Sequence, residues 1–458
     1  MHTNPFPLAS FLRVVAGRIA LTAVFFCDVS GSSWAQLTTE KLIGSAVSLS
    51  NQDYPEVEKA IQRFNNQDFN GARDYLDIAR EKDPKLPPSE ITMAKMYLLA
   101  RDGQNGRLLL EAAATNHPDD PETYLILAAQ SFAEGRTTEA QALYEKAQGI
   151  VEKFSGNSKR KRNFRNLVLA GRAAAFERRK QWDKAVEQLQ EWVDVDPESA
   201  TPHHRLGTAL FRADKPDDAL QELKTAKELN PEVAHPYVTM GQLYGLRGDD
   251  EKARESFELA YGENSADEQI SQAYIYWLIQ QSDLDRAQEI TSSLLEQAPK
   301  STQALLLSGI VAKMQGEQDK AELLLKKVID LAPSNNLAYD LLALLLIESD
   351  DVSDQERALS YAKVNAERFP QSAQANITLA WIYYQLGRKS EGDQALRKIK
   401  ESRISSPDSA YLVARIMMES NQVERARSAL ESVINTKSGL FIFRREAEEL
   451  LNELGDSE

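Results

Sequence analysis

Residues 181–197 read QWDKAVEQLQEWVDVDP, and residues 216–231 read PDDALQELKTAKELNP. In the first stretch Ala185 is followed by Leu189 at +4, Trp192 at +7 and Pro197 at +12. In the second, Ala219, Leu223, Ala226 and Pro231 stand at the same offsets, 34 residues later. Offsets of 4 and 7 share one face of a helix. Proline lacks an N–H and disfavours helix in the residue before it, so it punctuates the block.

The same register runs along most of the chain. The small anchor residue falls at Ala72, Gly106, Ala140, Ala185, Ala219, Ala253, Ala287, Ala321, Ala358, Gly392 and Ala426. Steps are 34 residues except for 45 after Ala140 and 37 after Ala321. Twelve positions before most anchors lies a second small residue, as at Ala94, Ala128, Gly207, Gly241 and Ala380, flanked by large apolar side chains. Each unit is therefore two helices. The first runs about fourteen residues to a turn such as Arg247-Gly248-Asp249, and the second carries the Ala-x3-Leu-x2-Ala pattern. A small residue on each helix is what lets its neighbour come close.

PYVTMGQLYGLRGDDEKARESFELAYGENS (236–265) resembles the tetratricopeptide repeat at its small and large positions almost throughout. The resemblance covers 53–440. It implies an all-α fold: a right-handed α-solenoid of about eleven helix pairs plus a C-terminal capping helix. The expected organisation is a signal peptide at 1–35, a linker at 36–52 and repeats 1–3 at 53–154. A basic insertion follows at 155–165, then repeats 4–11 at 166–440 and a capping helix and tail at 441–458. Repeat 7 departs from the pattern with Ile275 at a small-residue position, and repeats 10 and 11 lack the closing proline.

The N-terminus has its own character. Arg13 and Arg18 stand without a nearby acid, IALTAVFFC (19–27) is a short apolar run, and Ser33 and Ala35 precede a cut before Gln36. This is the pattern of a secretory signal peptide. Val24-Phe25-Phe26 before Cys27 is a poor lipidation context. Cys27 is the single cysteine, so the mature chain has no thiol for a disulfide, a nucleophile or a metal. No later stretch approaches eighteen uninterrupted apolar residues, so no membrane span is expected in the mature chain. The expected location is the periplasm or cell envelope.

Composition narrows the function. The net charge of −15 and the pI of about 5.1 argue against a nucleic-acid binder. The chain has no Gly-rich phosphate loop with Lys-Ser/Thr, no H-E-x-x-H and no G-x-S-x-G. Two of its histidines, His204 and His235, fall at groove positions of successive repeats, but no third ligand suggests a metal site. No enzyme activity, cofactor or metal is expected. Acids in turns such as Gly248-Asp249-Asp250-Glu251 suit the N-termini of second helices.

The resemblance implies that first-helix positions 2, 5, 9, 12 and 13 line a concave groove. These give His204, Thr208, Gln242, Tyr276 and Gln280 in the middle repeats, and Ile377, Trp381, Tyr384, Tyr411 and Arg415 toward the C-terminus. Aromatics beside Arg or Gln are typical of binding hot spots. No repeat offers the Lys–Asn pair of a chaperone-type carboxylate clamp. SGNSKRKRNFR (155–165) is the eleven-residue excess of the long step, with five cations: Lys159, Arg160, Lys161, Arg162 and Arg165. It is expected to lie between repeats as a solvated connection or as a docking patch for an acidic partner or an anionic glycan. The sequence thus points to an exported, non-enzymatic scaffold holding a partner peptide or helix in its groove, with envelope assembly or secretion as the expected setting. The alternative is a glycan-binding accessory protein of exopolysaccharide synthesis or export.

Overall fold

A computed structural model of the chain describes residues 37–44, 46–47, 53–399, 406–436 and 440–455. The expected signal peptide, 1–35, lies outside the described residues. Every regular element among those residues is an α-helix. The chain divides into two compact units between Val233 and Ala234.

The N-terminal unit begins with the short α1 (Thr39–Ile43). Five helix pairs follow: α2 (Pro55–Asn65) with α3 (Phe69–Lys82), α4 (Ser89–Leu99) with α5 (Gly103–Asn116), α6 (Pro121–Ala133) with α7 (Thr137–Lys153), α8 (Ser158–Arg178) with α9 (Trp182–Val195), and α10 (Ala200–Arg212) with α11 (Pro216–Leu229). The C-terminal unit has six pairs: α12 (Pro236–Arg247) with α13 (Asp250–Glu263), α14 (Glu268–Gln280) with α15 (Leu284–Gln297), α16 (Thr302–Met314) with α17 (Gln318–Leu331), α18 (Asn336–Leu346) with α19 (Val352–Arg368), α20 (Ala373–Gln385) with α21 (Lys389–Leu396), and α22 (Pro407–Glu419) with α23 (Val423–Ile434). A last helix, α24 (Arg444–Gly455), packs on α23. Within each unit every pair also packs on the next.

The anchor series explains the pairing. All nine alanine anchors are fully buried. At the glycine anchor Gly392, an added Cβ would lie 2.5 Å from Cδ2 of Tyr384, so the ring occupies the space a side chain would need. Ile275, the bulky exception, is also fully buried, and α14 still pairs with α15.

The turn inside each pair is equally regular. Five residues before ten of the eleven anchors, the backbone takes a positive φ, between 56° and 85°. Glycine fills only four of these places; Gln67, Arg101, Lys180, Asp214, Ser282 and Asn421 fill the others. Such a backbone costs a non-glycine residue on the order of 1 kcal/mol or more, so the packed pair holds the turn in place. The residue that follows often caps the second helix: Asp68 accepts from the N–H of Gly71 at 3.0 Å and Asp102 from that of Asn105 at 3.1 Å. The exception is the pair after the 37-residue step. There Asp351 accepts from the N–H of Ser353 at 2.7 Å, and Ser349 accepts from the N–H of Asp351 at 3.1 Å.

Two expectations change. The 155–165 stretch does not stand apart from the stack: from Ser158 onward it is the first part of the 21-residue α8, and Arg160 and Phe164 are buried. Those two residues stand four apart and share one helix face, so the helix begins early and still turns a stripe of its cationic start toward the core. The 36–52 segment is also more than a linker, because α1 and its following turn bury Leu42, Ile43, Ala46 and Val47 in the first core cluster.

The C-terminal unit buries a carboxyl on α18. Asp340 of α18 is fully buried, and its Oδ1 accepts from Nδ2 of Asn365 at 2.9 Å. Burial pushes it up to about 7, against a smaller downward pull from the Asn365 hydrogen bond. A raised folded pKa means stability is fully present below the ordinary pKa of 3.8 and is lost as pH rises through about 7. That displacement corresponds to on the order of 4 kcal/mol. Asp340→Asn keeps an acceptor for Asn365 and has no proton to lose. In urea unfolding at pH 5 and pH 8, the wild type is expected to lose stability at the higher pH, and the variant to lose markedly less.

Candidate functional site

In the C-terminal unit, α14 presents a polar ladder at a spacing of four. Gln272, Tyr276 and Gln280 are each half-buried, and Nε2 of Gln272 donates to the Tyr276 hydroxyl at 2.8 Å. Gln242 stands exposed on α12, which packs on α14. These residues offer amide and hydroxyl groups beside an aromatic ring, the chemistry that recognises a peptide backbone. Of the other middle-repeat candidates, His204 is half-buried in the N-terminal unit, and burial lowers its pKa. Its carbonyl accepts from Oγ1 of Thr208 at 3.1 Å. His235 belongs to the C-terminal unit and sits 3.0 Å from a Glu263 carboxylate oxygen. Among the described residues no group of three His, Cys, Asp or Glu side chains could share a metal ion.

The C-terminal candidates are placed differently from an open groove. Ile377, Trp381, Tyr384 and Tyr411 are all buried. The Tyr384 hydroxyl donates to Asp393 at 2.6 Å, and its ring fills the space over Gly392, so it serves the contact within its own pair. The Arg415 guanidinium lies 4.8 Å from the ring centre of Trp381 and donates to the Tyr411 hydroxyl at 2.8 Å. A flat sugar stacking on Trp381 would have to displace this cation.

Tyr411 has a second neighbour from further along the chain. The ring of Phe443 stacks on it, with centres 5.4 Å apart and planes 17° from parallel. The Lys313 ammonium, from α16, lies 5.2 Å from the centre of the same Phe443 ring and 3.0 Å from Glu348. The N–H of Phe443 donates to Oδ1 of Asp408 at 3.0 Å. Burial pushes Asp408 up to about 7, although the N–H groups of Phe443 and Ile442 pull the other way. Burial also raises Tyr411, with Arg415 opposing. Lys313, Glu348 and Asp408 were not singled out from sequence. The register could have found them, because they occupy the twelfth, thirteenth and second first-helix positions.

The N-terminal unit holds a buried charge network around Glu122, which occupies the same second first-helix position as Asp408. Glu122, second in its helix, meets Lys95 on one carboxylate oxygen and Arg160 on the other, the latter at 2.8 Å. Arg160 also donates to both oxygens of Asp120, at 3.1 and 2.9 Å, and lies over the rings of Phe164 and Phe154. Burial pushes Glu122 up, but Lys95 and Arg160 outweigh it and hold the carboxyl low. Burial dominates at Asp120, which Arg160 only partly offsets, so that carboxyl ends above its ordinary range.

The same cations hold α1. Lys95 donates to the carbonyl of Leu42 at 2.9 Å, and Lys159 to those of Gly44 and Val47 at 2.8 and 2.9 Å. Asn157 donates to the carbonyl of Ala46. Leu42 lies in the last turn of α1, whose carbonyls have no partner within the helix, and Gly44, Ala46 and Val47 follow directly after it, where the negative end of the helix dipole favours cations. The expected docking patch is thereby divided. Arg160 is spent in the core and Lys159 on α1, and Lys161 donates to the carbonyl of Glu152 at 3.2 Å. Arg162 and Arg165 remain exposed.

Two forms of the tetratricopeptide repeat model match the chain, one over 278–336 and the other over 234–267 and 373–403. Among solved structures, yeast Tom70 is similar at 15% identity, covering 88% of this chain and 95% of that one, with a TM-score of 0.39. A tetratricopeptide repeat protein from Parabacteroides merdae is similar at 18% identity, covering 64% and 99%, with a TM-score of 0.36. A thermophilic one from Thermus thermophilus is similar at 16% identity, covering 41% and 100%, with a TM-score of 0.34. No curated protein matches the chain.

The split of the basic stretch makes a stability prediction. Arg160→Met leaves Asp120 and Glu122 buried short of a cation, which costs about 3–5 kcal/mol. Arg162→Glu with Arg165→Glu changes exposed side chains and is expected to stay within about 0.5 kcal/mol of wild type. Urea titrations followed by circular dichroism check both. Equal effects would show that the network carries no special weight.

Proposed function

This chain belongs to the tetratricopeptide-repeat family, and on that premise we propose that it is a non-enzymatic scaffold that holds partner proteins on the first-helix face of its C-terminal unit. The observation that carries this reading is the polar ladder of Gln272, Tyr276 and Gln280 with Gln242 beside it. The anchors and large apolar residues of each pair are buried in stacking, whereas this strip carries amide and hydroxyl groups and one aromatic ring at partly or fully solvent-accessible positions. An extended peptide or a partner helix needs those groups. Buried Trp381 beneath Arg415 offers no comparable platform to a glycan.

We propose further that the scaffold acts after export, in the periplasm or cell envelope. The cationic start, short apolar run and Ser33–Ala35 cut site support this. No helix among the described residues is long and apolar enough to cross a membrane. A role in envelope assembly or secretion fits such a scaffold.

Two measurements test these points. A crosslinked pull-down from the native envelope fraction is expected to recover defined proteins with the wild type. The triple variant Gln242→Ala, Tyr276→Ala, Gln280→Ala is expected to recover at least fivefold less, at unchanged helical content. Equal recovery by both would refute the ladder as the binding surface, and retained polysaccharide in place of protein would favour the glycan reading. Intact-mass analysis of the protein from its native host is expected to give a chain starting at Gln36; a chain that keeps residues 1–35 would refute export by cleavage.

A further inference from the structure

The chain's own residues Phe441–Phe443 are buried at the end of the C-terminal unit, with the Phe443 ring against the first-helix residue Tyr411. Their three side chains are 1%, 3% and 6% exposed. The segment precedes α24 and is not itself helical, so its N–H groups need acceptors outside a helix. Asp408 supplies one at the N–H of Phe443. The two other contacts to Phe443 described above come from Tyr411, fifth in its helix, and Lys313, twelfth in a helix three pairs earlier, both at positions the register places where a partner would lie. Arg415, ninth in the same helix as Tyr411, holds the Tyr411 hydroxyl.

This is how a peptide site would look when occupied. A carboxylate accepts from the bound backbone, a tyrosine face receives a flat ring, and an ammonium sits over that ring. A lid that served only to cover an apolar helix end would need neither a buried carboxylate nor a lysine reaching from α16. Asp408 is the more telling, because a buried carboxyl costs stability unless hydrogen bonds satisfy it.

We propose that the face built by Lys313, Asp408, Tyr411 and Arg415 is a binding site for extended aromatic–aliphatic–aromatic peptide segments, kept filled by residues Phe441–Phe443 until a partner segment of the same chemistry displaces them. The inference rests on the scaffold reading and sharpens it, because it names what the partner presents and what must leave first. The ring position selects aromatics, since an aliphatic side chain gains nothing from the Lys313 ammonium and cannot stack on Tyr411.

The probe is a labelled peptide with the chain's own residues 438–446, Ser-Gly-Leu-Phe-Ile-Phe-Arg-Arg-Glu, followed by fluorescence anisotropy against the full-length protein. The wild type is expected to bind it weakly. The variant Phe441→Ala with Phe443→Ala is expected to bind at least tenfold more tightly, and adding Tyr411→Ala to that variant to abolish the gain. A peptide with both phenylalanines replaced by alanine is expected not to bind. Equal weak binding by wild type and a well-folded double variant would overturn the proposal. If the double variant loses its helical signal, hydrogen exchange on the wild type decides. Excess peptide is then expected to speed exchange at the amides of Ile442 and Phe443, and unchanged rates at saturating peptide would overturn the proposal. Either failure leaves the pull-down result on the Gln242–Gln280 ladder intact, so the two readings fail separately.

Discussion

Two helices can approach only as closely as the side chains between them allow, and in this chain the residue at the contact is alanine or glycine in every pair. That single restriction organises the rest. With the anchor fully buried, large side chains four residues on, such as Leu189, Leu223 and Phe257, are buried as well. The pair then holds its turn tightly enough to force residues such as Lys180 and Ser282 into a left-handed backbone they would otherwise avoid. A repeat length of 34 residues follows from that turn and that contact. Where three residues are inserted, the left-handed turn is lost, and serine and aspartate side chains cap the second helix in its place.

A helix pair cannot cover its own apolar face, so a stack is sound in its middle and exposed where it ends. Each unit answers this with its own chain. In the N-terminal unit, α1 lies against Lys95 and Lys159, which take up carbonyls that the short helix cannot satisfy. In the C-terminal unit, Phe441–Phe443 and α24 do the covering. In the C-terminal unit the contacts come from first-helix residues of the register, Lys313, Asp408 and Tyr411, whereas in the N-terminal unit Lys95 is joined by Lys159 from the inserted stretch.

The fold was legible in the sequence because its cause is local. A small residue every 34 positions, with apolar neighbours at fixed offsets, is all that pairing requires, and Ala185 and Ala219 carry it openly. The site was less legible. Tyr411 and Arg415 were found by position, but position alone could not say that Phe443 would lie on one and Trp381 beneath the other. The Phe443 contact depends on a segment outside the repeat pattern, for which periodicity holds no information. The basic stretch failed in a similar way. Its charges suggested solvent, whereas the carboxylates that draw Arg160 inward, Asp120 and Glu122, stand some 40 residues earlier and look like an ordinary helix start.

Almost every contact in this molecule joins residues within about one repeat, so most of the structure closes short loops and costs little chain entropy to form. The end segments are the exception. Lys159 meets Gly44 across 115 residues, and Phe443 meets Lys313 across 130. Such distant closures can form only after the intervening pairs are built, and they can open without disturbing those pairs. The parts of the chain with the longest reach in sequence are therefore the most readily released, which is the property a displaceable segment needs.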